Sequence, residues 1–112
     1  MNILEQIVAF KKQEIAKIKA EVSLEKLVKS PAFKRTPLSL KESLIEKGST
    51  GIIAEFKRQS PSKGIINATS TIQEVTEGYL NANVAAQSIL TDTRYFGGTM
   101  VDLMTARTLN RV

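Results

Sequence analysis

The chain has 112 residues, 42% hydrophobic and 24% charged, with a net charge of +5. That suits one small domain with a modest core and excludes a low-complexity or disordered class. It has neither cysteine nor histidine, which removes disulfides and thiol chemistry and leaves a zinc or haem site without its usual ligands.

The N-terminal stretch MNILEQIVAFKK is interrupted by Glu5 and has no small-residue cleavage site, so it does not read as a signal peptide. No apolar run approaches the ~20 residues needed to span a bilayer. A cytoplasmic protein without membrane contact is the expectation. Instead, Ile3, Leu4, Ile7, Val8, Ile15, Ile18 and Val22 recur at helical spacing, which predicts a long amphipathic helix broken near Ser23. Leu24, Leu27 and Val28 continue it briefly to Ser30-Pro31, where the pre-proline position disfavours helix. SPAFKRTP, with prolines at 31 and 37, reads as an irregular connector. Ser39 and Glu42 form a capping-box pattern for a short helix with Leu44 and Ile45, stopping at Gly48.

From Gly51 the rhythm changes. GIIAEFK is an apolar-rich strand followed by the loop QSPSKG. Thr71 and Glu74 make a second capping box, opening a helix with Ile72, Val75, Tyr79 and Leu80 on one side. AAQSILTD reads as another strand and TRYFGG as its loop; Thr99 and Asp102 then cap a helix carrying Leu103, Ala106 and Leu109. The strands start roughly 35 residues apart, as in a βα repeat with parallel strands. A right-handed crossover places both helices on one side of the sheet. Residues 1–50 are therefore read as a helical extension and residues 51–112 as two βα units. Two such units leave strand edges open and one sheet face bare, so they read as the opening part of something larger. Self-association through those edges is expected.

Charge is uneven. Residues 1–50 carry a balance of +4 and residues 51–112 a balance of +1. A basic surface raises nucleic acid as a partner. Yet the lysines alternate with glutamates (Glu14, Lys17, Lys19, Glu21), and only two tyrosines and four phenylalanines are available for stacking. Solvated helix faces are the plainer account, and no nucleic-acid partner is expected.

The chemistry-bearing residues gather in the two loops after the strands. Residues two apart in a strand share a face, so Glu55 and Lys57 stand together near its carboxyl end, the end where parallel α/β proteins bind ligands. A carboxylate beside an ammonium can hold an acidic group or move a proton; a solvated ion pair gives the same spacing. The loop adds the hydroxyls of Ser60 and Ser62 and the cation of Lys63, with Pro61 fixing the backbone between the hydroxyls. This suits an anionic, hydroxylated small molecule. In the second loop, Phe96 before Gly97-Gly98 either walls a pocket or anchors a turn on the core. Ser88 and Leu90 share a strand face and either point into a site or are ordinary core, a buried serine being most often bonded to backbone.

IIAEFKRQSPSKG, followed at the right distance by SILTDTRYFGG, resembles the start of indole-3-glycerol-phosphate synthase. The likeness covers residues 52–107 without a gap, and that family's helical extension fits residues 1–48. It implies an α/β fold, the N-terminal part of a (β/α)8 TIM barrel, here incomplete because such barrels take ~250 residues. It also implies the decarboxylating ring closure of 1-(2-carboxyphenylamino)-1-deoxyribulose 5-phosphate, a phosphorylated small molecule, with no metal or organic cofactor. By the resemblance, Glu55 and Lys57 are the first-strand catalytic pair, with Lys57 facing the substrate carboxylate and assisting proton transfer. Ser60, Pro61 and Ser62 match the first active-site loop. Ser88 and Leu90 match inward positions on the second strand, and Phe96 the aromatic that packs on the substrate ring. The extension would shield the site mouth. The family's principal acid lysine, a further glutamate and the main phosphate loops lie on later strands, so this chain alone is expected to be inactive. Gln87 departs from the family in a slot expected to be apolar; it shares a face with Ile89 and should lie under a helix and need a partner. The alternative from another class is a non-enzymatic basic binding module. A different phosphate-sugar barrel of the same pathway fits the Ser-Pro-Ser loop and preceding helices less well.

Overall fold

A computed structural model describes residues 1–110 and 112, and the chain falls into two units, Met1–Pro37 and Leu38–Val112. In the first, helix α1 (Ile3–Glu21) opens on a reciprocal cap: Asn2 Oδ1 accepts the Glu5 N–H at 2.8 Å, and the Glu5 carboxylate accepts the Asn2 N–H at 3.0 Å. Such a cap stabilises a helix end by about 1 kcal/mol. The break expected near Ser23 is a true helix end. Val22 turns extended at φ −122°, ψ 104°, and Ser23 caps a separate helix α2 (Leu24–Val28) by accepting the Lys26 N–H. Ser30 is extended before Pro31, and the stretch read as an irregular connector holds a 3-10 turn over Pro31–Lys34 with proline at its start. Among the described residues, no helix is long and apolar enough to cross a membrane.

The second unit holds α3 (Leu40–Ile45), β1 (Ile53–Phe56), β2 (Gln59–Ser60), β3 (Gly64–Ile65), α4 (Ile72–Asn81), β4 (Ala86–Ile89) and α5 (Met100–Leu109). Helix α3, which the sequence groups with the extension, falls in this unit and packs near β4. Its cap works in one direction only, Ser39 Oγ accepting the Glu42 N–H. The caps at Thr71 and Thr99 are reciprocal, as their Glu74 and Asp102 partners predict.

Strands β1 and β4 pair in parallel, with Ile53 opposite Ala86, Ala54 opposite Gln87, Glu55 opposite Ser88 and Phe56 opposite Ile89. Alternation along β1 separates two environments. Ala54 and Phe56 are 9% and 6% exposed, whereas Ile53 is 50% exposed. The covered face meets α4 and α5, which pack on each other as the crossover rule requires. Ala54, Phe56, Val84, Ala85 and Ala106 form the core. Gln87 lies in this layer, beside Ile89, Leu103 and Ala106, and finds the partner it needs: its amide Nε2 donates to the Thr76 carbonyl at 3.1 Å. Its Oε1 has no partner among the described residues. The opposite sheet face is open, and the described strands form an incomplete α/β layer without a closed barrel.

The loop after β1 is more ordered than its Ser, Pro and Gly content suggests. It is a miniature antiparallel hairpin in which Gln59 pairs with Ile65 and Ser60 with Gly64. The carbonyl of Arg58 closes its base by accepting the N–H groups of Ile66 and Asn67 at 2.8 and 3.2 Å.

Candidate active site

The open face of the sheet presents Glu55 from β1 and Ser88 from β4, directly opposite in the register. The Ser88 hydroxyl donates to Glu55 Oε2 at 2.9 Å, so this serine is bonded to a side chain rather than to backbone. The other carboxylate oxygen, Oε1, lies 3.6 Å from Lys57 Nζ. Lys57 in turn sits over the Phe96 ring, its ammonium 5.4 Å from the ring centre, within cation–π reach. Glu55, Lys57, Ser88 and Phe96 thus form one linked group at the carboxyl ends of two parallel strands. Their ion pair remains partly solvated, with side-chain exposures of 34% for Lys57 and 45% for Glu55.

Phe96 is held by its backbone. The Asp92 carboxylate accepts the N–H of Tyr95 at 2.7 Å and of Phe96 at 3.2 Å. The two glycines that follow have separate reasons. Gly97 takes φ +66°, and a side chain there would also press on Gln59. Gly98 passes so close to Leu90 that an added Cβ would lie 1.8 Å from its carbonyl oxygen. Leu90 therefore acts through its backbone as the seat of the second loop, and its N–H reaches the Phe56 carbonyl at 3.5 Å; its side chain is half-buried.

Ser60, Pro61 and Ser62 stand apart from that group. Ser60 Oγ lies 3.4 Å from Ser62 Oγ and accepts the Lys63 N–H at 3.2 Å. Pro61 and Ser62 are exposed at the hairpin tip. Beside β1, an open cleft of about 180 Å³ is lined by Glu55, Lys57, Asn67, Ser70 and Tyr79 among others. The Tyr79 hydroxyl donates to the Glu55 carbonyl at 3.3 Å.

Sequence reasoning missed Arg58 and the second role of Asp102. The Arg58 guanidinium stacks on Phe56, 4.8 Å from its ring centre, and grips the Asp102 carboxylate through both terminal nitrogens, NH2 to Oδ1 at 2.9 Å and NH1 to Oδ2. Asp102 Oδ2 also accepts the Thr99 N–H at 3.1 Å. The guanidinium beside it holds the Asp102 carboxyl below the usual carboxylate range, against the opposing effect of burial, and the same bond raises Arg58. The pair spans 44 positions of sequence, so no local spacing marks it; the capping box marks Asp102 alone.

A family model described as indole-3-glycerol phosphate synthase matches residues 4–112. A protein of that name from Bacteroides thetaiotaomicron is 43% identical over 108 residues, covering 96% of this chain and 41% of the relative. One from Prochlorococcus marinus subsp. pastoris is 39% identical over 108 residues, covering 96% and 37%. One from Caldanaerobacter subterraneus subsp. tengcongensis is 44% identical over 96 residues, covering 86% and 36%. The chain spans about two fifths of the length of these curated relatives. A match running from residue 4 to residue 112, over both the helical extension and the strands that carry Glu55 and Ser88, means that the chain belongs to the indole-3-glycerol phosphate synthase family.

Proposed function

We propose that this chain is the N-terminal part of a cytoplasmic indole-3-glycerol-phosphate synthase, comprising a helical extension and the first two βα units of a (β/α)8 barrel. The reaction closes the indole ring of 1-(2-carboxyphenylamino)-1-deoxyribulose 5-phosphate with release of carbon dioxide and water. The observation that carries this reading is the linked group Glu55, Ser88, Lys57 and Phe96 on the open face at the carboxyl ends of β1 and β4. Ring closure needs protonation of a carbonyl, departure of a carboxylate and loss of hydroxide, each helped by a placed cation or acid. Lys57 is the cation for the carboxylate. Glu55, braced by Ser88, orients that ammonium, and Phe96 offers a flat apolar face to the anthranilate ring. Ser60, Pro61 and Ser62 form the first active-site loop, with Ser60 near the anthranilate end, and Leu90 backs the second loop. The main acid lysine and phosphate loops that the family places on later strands lie outside these residues, so the 112-residue chain is inactive alone.

The basic binding module is the weaker reading. The lysines of the first unit are partly neutralised in place, with Lys11 2.7 Å from Glu14 and Lys29 3.0 Å from Glu25. The test is a chimera in which this chain is joined in frame to the part of the Bacteroides thetaiotaomicron relative that follows the matched segment. Growth of a tryptophan auxotroph on the chimera, lost on Lys57→Ala, is the expected result. A chimera that folds and fails to turn over the carboxyphenylamino substrate would overturn the proposal.

A further inference from the structure

The two loops that follow β1 and β4 are tied to each other through Arg58 and its neighbour Gln59. The Arg58 carbonyl closes the base of the Ser60-Pro61-Ser62 hairpin by accepting two N–H groups. Its guanidinium crosses to the start of α5 and takes the Asp102 carboxylate in a two-point fork. Gln59 lies against Gly97, near enough that a Cβ there would come within 2.9 Å of its side chain. Lys57 and Phe96 stand immediately beside these ties, one on each loop.

From this geometry we infer that Arg58 is a positioning residue that sets Lys57 over Phe96 by locking the end of β1 to the N-terminus of α5. The fork has direction as well as strength. A planar guanidinium meeting both oxygens of a carboxylate fixes rotation about the bond, which a single ammonium does not. Stacking on Phe56 fixes the guanidinium plane in turn. Asp102 is anchored independently, since its carboxylate takes the Thr99 N–H and its own N–H donates to Thr99 Oγ1 at 3.1 Å. The lock therefore joins two elements already rigid, and the slack it removes lies in the one-residue step from Arg58 to Lys57. The inference deepens the proposed function, because Lys57 and Phe96 are the groups given to the substrate there, but its test requires no turnover.

The experiment is proton–carbon NMR of the 112-residue chain, following the Lys57 ε-methylene. In the native chain its resonance is expected to be displaced upfield by the Phe96 ring, centred 5.4 Å from the ammonium, and Phe96→Leu should remove the displacement. Arg58→Lys and Asp102→Asn are each expected to abolish most of it while the methyl resonances of Ala54 and Ala106 stay dispersed. The double variant should do no more than either single one. Asp102→Asn retains a side-chain oxygen for the Thr99 N–H, so it probes the fork with the helix cap kept. An unshifted Lys57 in the native chain, or a shift that survives both conservative variants, would overturn the inference. Either result is independent of whether the chimera catalyses the reaction.

Discussion

Ser88 and Glu55 face each other across the parallel pair, and the serine hydroxyl donates to the glutamate carboxylate at 2.9 Å. A hydrogen bond to a charged group contributes about 1.5–3 kcal/mol. In the chimera, Ser88→Ala is therefore expected to lower kcat/KM roughly tenfold or more, with Ser88→Thr closer to native. Steady-state kinetics on both variants check this. Equal losses for Ala and Thr would mean that the pocket wall, rather than the hydroxyl, is what matters.

Lys57 should separate activity from stability. Its ion pair with Glu55 is long and partly solvated, and such pairs contribute about 0–1 kcal/mol to folding. Loss of a placed proton-transfer group costs roughly 10²–10⁴-fold in rate. Lys57→Met should thus leave the urea midpoint of the chimera nearly unchanged while its turnover falls by about that factor. Denaturation and kinetics on the same preparation decide the matter.

Gly98→Ala is expected to be among the most damaging single changes. A Cβ 1.8 Å from the Leu90 carbonyl oxygen meets backbone on both sides of the contact, so neither side can swing away. Overpacking of this kind costs roughly 1–3 kcal/mol and sometimes more. Urea unfolding should show the upper end of that range, and Gly78→Ala, where no heavy atom lies within 4 Å, is the control.

The Arg58–Asp102 fork should also appear in acid. Because the folded-state value of Asp102 is depressed, its contribution is fully present above the ordinary carboxylate value near 3.8. It is lost as pH falls from there through the lower folded value. Asp102→Asn should flatten that part of the stability profile and leave the neutral-to-basic part parallel to native. Thermal unfolding followed from pH 7 down to about 2 is the check.

Much of the architecture was legible in the sequence. Ser39, Thr71 and Thr99, each three residues before an acidic partner, mark helix starts because the cap is a local transaction. The interval of roughly 35 residues between IIAEFK and AAQSIL marks the parallel pair, and the closeness of Glu55 to Lys57 follows from the period of two along the first strand. Ser88 as the partner of Glu55 was not legible, because strand register depends on contacts rather than spacing. Nor was the hairpin around Pro61, whose two-residue strands are too short for any alternation to develop. The Asn2–Glu5 cap has the same local spacing but sits in a stretch dominated by its apolar period.

The hairpin has a further consequence. A loop of two serines, a lysine, a proline and a glycine would ordinarily surrender a large share of its freedom on closing around a ligand, at about 1–2 kcal/mol per residue fixed. Here Gln59–Ile65, Ser60–Gly64 and the Arg58 carbonyl have already taken most of that freedom during folding. A ligand held by the Ser60 and Ser62 hydroxyls, as proposed above, would therefore meet a loop with little entropy left to lose, and those contacts would count almost fully toward affinity.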